Sequence, residues 1–120
     1  MATINEVLDD LLNDVDGGMV ALLGDSDSGM LLASAGSGLD LEIAAAGTTE
    51  FMRAKLNTMR ALGLDTELED ILVTLGTQYH IIRPLKSKPE VFIYVALDRA
   101  KSNLALARIR VKTAEQNITI

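Results

Sequence analysis

The sequence predicts an α/β domain of the α+β kind: a five-stranded antiparallel sheet flanked by helices, in the order α-β-β-α-β-β-β-α. Three observations carry this prediction. One long stretch, 39–64 (LDLEIAAAGTTEFMRAKLNTMRALGL), keeps an amphipathic helical period without a proline. Apolar runs of strand length lie on either side of it, joined by short turns of Gly, Ser, Asp and Pro. Those turns are too short for crossover helices, so consecutive strands pair antiparallel. Finally, 120 residues with no long linker, repeat or low-complexity tract suit a single core. The domain is expected over residues 3–113, with 114–120 as a tail without a clear signal.

Taken in order, Ile4, Val7, Leu8, Leu11, Leu12 and Val15 recur at helical spacing. Thr3 is placed to cap that first helix, and Glu6 holds the capping-box position. Its opposite face carries Asn5, Glu6, Asp9, Asp10, Asn13 and Asp14, an acidic face read as solvated. Asp16-Gly17-Gly18 breaks the helix. Met19–Leu23 and Met30–Ala35 then form a hairpin around the polar turn Gly24–Gly29. After the long helix, Glu69–Leu75 alternates as a strand with Ile71, Val73 and Leu75 on one face. Tyr79–Leu85 and Val91–Leu97 follow, separated by Ser87-Lys88-Pro89-Glu90. The last strand is nearly all apolar, which places it deep in the sheet with both faces covered. A final helix is expected over Lys101–Lys112, with Ser102-Asn103 near its start.

The long helix holds more apolar surface than one sheet requires. Asp40 caps its start and Gly63 ends it. At about 100° per residue, Glu42, Thr49, Glu50, Arg53, Asn57 and Arg60 form one polar stripe, leaving an arc of about 220° apolar or small. A helix resting on its own sheet typically needs about 100°. The arc divides along Thr48 and Lys55. Ile43, Ala44, Gly47, Phe51, Ala54, Thr58 and Leu62 lie on one half; Leu41, Ala45, Met52, Leu56 and Met59 lie on the other. The second half, with Thr48, is assigned to contact with a second copy. Ile71 and Val73 join it, because their strand has no lysine, proline or bulge signal and is unprotected if it lies at the sheet edge.

Composition excludes several functions. Net charge is −6, which argues against a nucleic-acid surface and an anionic membrane surface. Aromatics make up 3% of the chain, leaving few platforms for stacking bases or sugars. The absence of cysteine removes disulfides, thiolate nucleophiles and cysteine metal sites. No apolar run approaches the roughly 20 residues of a membrane span. The first residues do not read as a signal peptide, so a cytoplasmic protein without membrane insertion is expected.

Catalytic and cofactor motifs do not assemble, and no cofactor is expected. His80 is the single histidine, on the same strand face as Ile82, with no acid placed to orient it as a base. Asp25-Ser26-Asp27-Ser28-Gly29 has the start of a calcium loop. Its glycine comes one position early, however, and Glu42 lies beyond the twelfth position, so a hairpin turn fits better. No GxxxxGK[ST], GxGxxG or GxSxG segment occurs. Basic residues gather late, at Arg99, Lys101, Arg108, Arg110 and Lys112; Arg108 and Lys112 share a helix face, read as solvated.

The pattern resembles the Roadblock/dynein light chain family. The carriers are Asp16-Gly17-Gly18 before a valine-alanine-leucine strand, the turn ending in Gly29 before Leu31-Leu32-Ala33-Ser34, and the alanine-rich long helix. To these are added Ile71-Leu72-Val73 and Asn103-Leu104-Ala105-Leu106-Ala107-Arg108. The resemblance covers residues 3–112 and implies a layered, profilin-like domain without catalysis of its own, dimerising through the long helix and third strand. It also implies a regulator of a small Ras-like GTPase, or an adaptor in signalling and motor complexes. By helix position, Arg53, Lys55, Asn57, Met59 and Arg60 would face such a GTPase. Two rivals stand beside this reading. One is a structural scaffold with no GTPase partner. The other is a small-ligand sensor, for which His80, Tyr79 and Tyr94 are the available polar groups.

Overall fold

The computed structural model describes residues 2–120, and each of the eight expected elements is present. Helix α1 spans Ile4–Asp14, and the Thr3 hydroxyl accepts the Glu6 amide at 3.2 Å, as the capping pattern requires. Strands β1 (Gly18–Asp25) and β2 (Met30–Gly36) form the first hairpin. Helix α2 spans Leu41–Ala61, capped by the Asp40 carboxylate on the Ile43 amide at 3.1 Å. Strands β3 (Ile71–Thr74), β4 (Gln78–Pro84) and β5 (Val91–Asp98) follow, and α3 covers Leu104–Gln116.

The strands lie in the order β2-β1-β5-β4-β3, every neighbouring pair antiparallel. The all-apolar strand β5 sits at the centre, with Val91 to Leu97 buried. On one face, α1 and α3 bring Val7, Leu8, Leu11, Ala107 and Val111 onto Ala21, Leu23, Ile81, Val95 and Leu97. On the other, α2 brings Ala45 and Met52 onto Val20, Leu22, Ile82, Phe92, Tyr94 and Ala96. The Phe92 ring presses on the backbone of Gly24, where a Cβ would lie 2.5 Å from Cζ. Glycine there is what lets the aromatic ring lie flat against β1. At the far end of α2, the Leu64 amide reaches the Met59 carbonyl and the Gly63 amide the Arg60 carbonyl, both at 3.0 Å. With Gly63 at φ +68°, this is the Schellman ending that the sequence signals.

Two features differ from the sequence reading. Helix α3 starts later, capped by Asn103 on the Leu106 amide at 3.1 Å, and runs four residues beyond Lys112. Ala114, Glu115 and Ile118 are buried, so part of the segment expected as a tail packs into the core. Glu115 interrupts the apolar period and hides this continuation. Its carboxylate is accepted into the interior because Arg83 meets it at 3.3 Å from 32 residues away.

The second difference reverses the two halves of the long helix. Ala45 and Met52 are fully buried, and Thr48 and Met59 are 6% and 7% exposed. Of these residues, expected at a contact between copies, Ala45 and Met52 rest on the chain's own sheet, Thr48 is buried on the same side, and Met59 lines a hollow with residues 66–70. Leu41 and Leu56 beside them are half-buried. The other half faces outward, with Ile43 70%, Phe51 50% and Leu62 66% exposed. A helical wheel gives the width of an apolar arc but not which side meets the sheet. That choice is set by the packing of α2 on β1 and β2, where Ala45 is fully buried. Neighbouring residues should therefore respond oppositely. Met52→Ala is expected to cost about 2–5 kcal/mol of unfolding free energy, while Phe51→Ala costs less than about 1 kcal/mol in the single chain. Urea unfolding at high dilution measures both.

Candidate interaction surface

Along the outer side of α2, Ile43, Gly47, Phe51, Ala54, Thr58 and Leu62 fall at steps of three and four, all of them exposed. The stripe is flanked by polar and charged residues: Glu50, Arg53, Asn57 and Arg60 along one side, Lys55 on the other. Of the residues expected to dock a GTPase, Arg53, Lys55, Asn57 and Arg60 are exposed, whereas Met59 is buried beneath the helix and is corrected to a core residue. The Arg53 guanidinium donates to the Asp27 carbonyl at 2.6 Å, and Arg60 donates to the Asn57 side chain. Arg53, Asn57 and Arg60 line one shallow depression together with Ser26, Asp27 and Glu90 from the neighbouring turns.

The sheet adds a second part to this surface. β3 is an edge strand, as the sequence allowed, though only four residues long. Ile71 pairs with Ile82 and Val73 with His80, and both strand pairs face the α2 side. Because α2 lies over β1 and β2, Ile71, Val73, Gln78 and His80 stay half-buried beside it. An apolar helix stripe, a half-covered patch of sheet and a free strand edge thus occur together.

The other polar clusters weighed from the sequence have structural roles among the described residues. Among the described residues, no group of three or more His, Asp or Glu is placed to hold a metal ion. The Asp25 carboxylate accepts the Asp27 amide at 3.0 Å and the Ser28 hydroxyl at 3.1 Å, closing the hairpin turn. A cleft of about 170 Å³ lies between α2, residues 66–69 and the end of β4, with Met52, Leu56, Leu68, Arg83 and Glu115 on its walls. His80, Tyr79 and Tyr94, the groups weighed for a small ligand, do not line it. Arg108, read as a solvated charge, instead forks onto Asp70 at 2.8 Å, a pairing across 38 residues that no local pattern signals.

His80 has a structural explanation. Its Nε2 lies 2.8 Å from Gln78 Oε1 and its Nδ1 3.1 Å from the Tyr94 hydroxyl, with the two rings edge to face. A neutral ring satisfies both partners, donating from Nε2 and accepting at Nδ1. Burial lowers the His80 pKa from its ordinary 6.5, and the same burial raises that of Tyr94. The unfolded chain therefore takes up a proton near pH 6.5 that the folded chain refuses. Stability present above that pH is expected to fall on acidification below it. Urea midpoints measured from about pH 7.5 to about pH 5.5 should show this slope, and His80→Phe should flatten it.

No protein-family model and no curated protein sequence matches the chain. Solved structures do. MglB of Myxococcus xanthus is similar at a TM-score of 0.81 and 26% identity, covering 94% of this chain and 89% of that one. A Roadblock/LC7 domain from Streptomyces avermitilis gives 0.84 at 14% identity, covering 97% and 94%. A structure described as MglB with a tetrameric arrangement gives 0.80 at 17% identity, covering 98% and 88%. The three-layer order of α1 and α3, sheet, and α2 is thus shared over nearly the full length of each chain. The protein has the Roadblock/LC7-type fold.

Proposed function

We propose that this protein is a cytoplasmic, non-catalytic regulator or adaptor of a small Ras-like GTPase, acting as a homodimer. The observation that carries the proposal is the exposed apolar stripe of α2, on the sheet face that also holds Ile71 of the edge strand β3. A stripe of Ile43, Phe51 and Leu62 left in water is a contact surface in search of a cover. The likeness to MglB and to Roadblock/LC7 domains supports the family resemblance from which the GTPase role is inferred, and the tetrameric arrangement described for one MglB supports self-association. Ile71 and Val73 of β3 join the contact between copies, in place of the buried half of α2. The polar flank of Arg53, Lys55, Asn57 and Arg60 meets the GTPase.

Acceleration of hydrolysis, in this reading, comes from ordering the partner's own switch loops. An arginine donated in trans is disfavoured, since Arg53 and Arg60 each bond within their own chain. The rival reading is a scaffold without a GTPase, using the same surface to hold a larger assembly.

Two measurements test the proposal. Sedimentation should give twice the mass of one chain for the wild type. Phe51→Glu with Leu62→Glu should give a folded single chain, because an unpaired charge sealed into the contact costs several kcal/mol. Multiple-turnover hydrolysis by the GTPase found with this protein in the cell should change in rate on its addition. Association without any change in nucleotide turnover would favour the scaffold, and a wild type of single mass at high concentration would remove the dimer.

A further inference from the structure

β3 is the least supported strand of the sheet. It has four residues and one neighbour, β4, where β5 has two neighbours and a helix layer on each face. Left to itself, so short an edge frays, and a frayed edge must be ordered before anything can pair with it.

Two arginines from outside the β3–β4 hairpin hold its ends. Before the strand, Arg108 of α3 grips the Asp70 carboxylate, with Nε to Oδ2 at 3.2 Å and Nη2 at 2.8 Å from both oxygens. A planar fork of this kind fixes direction as well as distance. After the strand, Arg99 Nη1 donates to the Leu75 carbonyl at 3.0 Å, and its guanidinium lies 5.3 Å from the Tyr79 ring centre. The Arg99 amide also donates to the Thr77 carbonyl at 3.0 Å. Neither arginine bonds the main chain of Ile71–Thr74, so the outward amides and carbonyls there remain available for pairing.

The sheet's two edges also differ. β2 carries a register shift opposite Leu23 and Gly24, with Leu32 as the additional residue, a bulge that spoils regular pairing. The register of β3 with β4 has no shift. We propose that Arg108 and Arg99 are positioning residues that hold β3 as a straight, pre-ordered edge, onto which β3 of a second copy pairs. This rests on the self-association proposed above and adds the residues that set its strength. A two-fold contact uses the same patch twice, so each clamp acts on both copies. Helix α2 covers the sheet face that Ile71 and Val73 share, so a second copy paired antiparallel on β3 within the same sheet brings its own α2 to that face.

The test compares wild type, Arg108→Gln, Arg99→Gln and the exchanged pair Asp70→Arg/Arg108→Asp. Sedimentation reads the dimer dissociation constant, and amide hydrogen exchange at high dilution reads the order of each strand. Each single variant should raise the dissociation constant about tenfold, the loss of one charge-assisted contact. Exchange should quicken in residues 71–74 and stay unchanged in Val91–Asp98, with the melting temperature held. The exchanged pair should recover most of the lost association. Exchange that quickens across the whole sheet would make the arginines merely structural and overturn the proposal. A dimer unaffected by either variant overturns the clamp alone, whereas a wild type that never dimerises overturns the self-association reading together with it.

Discussion

The contact between α2 and the sheet is what the rest of this structure depends on. Ala45 and Met52 turn inward over Val20, Leu22, Phe92 and Tyr94, with Thr48 and Met59 buried on the same side of the helix, and this single choice of side decides what the molecule shows to its surroundings. Had the helix rested on Ile43, Phe51 and Leu62, its methionines would be outside and its aromatic residue within. Close approach favours the side that was chosen. Ala45 lets the helix settle over the sheet, and Met52, unbranched and flexible, fills the space above Ile82 and Phe92. Phe92 in turn lies against Gly24, where no side chain stands in its way. The outer stripe is the remainder of that packing.

Most of the architecture was legible because local chemistry and global layering agree. Thr3, Asp40 and Asn103 stand where capping requires them, Gly63 ends the long helix, and the unbroken apolar run of β5 lies at the centre of the sheet. What escaped was long-range. Glu115 looks like the end of an apolar pattern until Arg83 is brought beside it by the fold. Arg108 looks like an idle surface charge until Asp70 arrives from 38 residues away. The half of α2 facing the sheet is a third case, since periodicity measures how wide an apolar arc is and carries no sign. Identifying the buried half requires the positions of β1 and β2, which no window of sequence contains.

The surface illegible to periodicity is also the one that carries the proposed function. Polar groups inside the molecule are satisfied: among the described residues, no buried side-chain nitrogen or oxygen lacks a partner. Even His80, the group most suited to proton transfer, spends both ring nitrogens on Gln78 and Tyr94. The molecule thus leaves no buried side-chain donor or acceptor open among the described residues. Its unspent free energy lies in exposed apolar area and in the open hydrogen-bonding edge of β3, which act through contact.

The two parts of that contact support one another. A free strand edge alone is indiscriminate, since any extended chain can pair with it, whereas an apolar helix stripe alone gives area without register. Together on one side of the sheet they demand a partner that supplies both a strand and a facing apolar surface in fixed relation. In the proposed homodimer another copy of this chain answers that demand, the two-fold operation bringing strand to strand and helix to helix. The order of β3 then matters more than its four residues suggest. If the strand wandered, the helices would lose their alignment as well. Holding its two ends by Arg108 and Arg99, from a helix and a loop outside the hairpin, ties the edge to the rigid body of the domain, so that strand pairing and helix packing are set by the same framework.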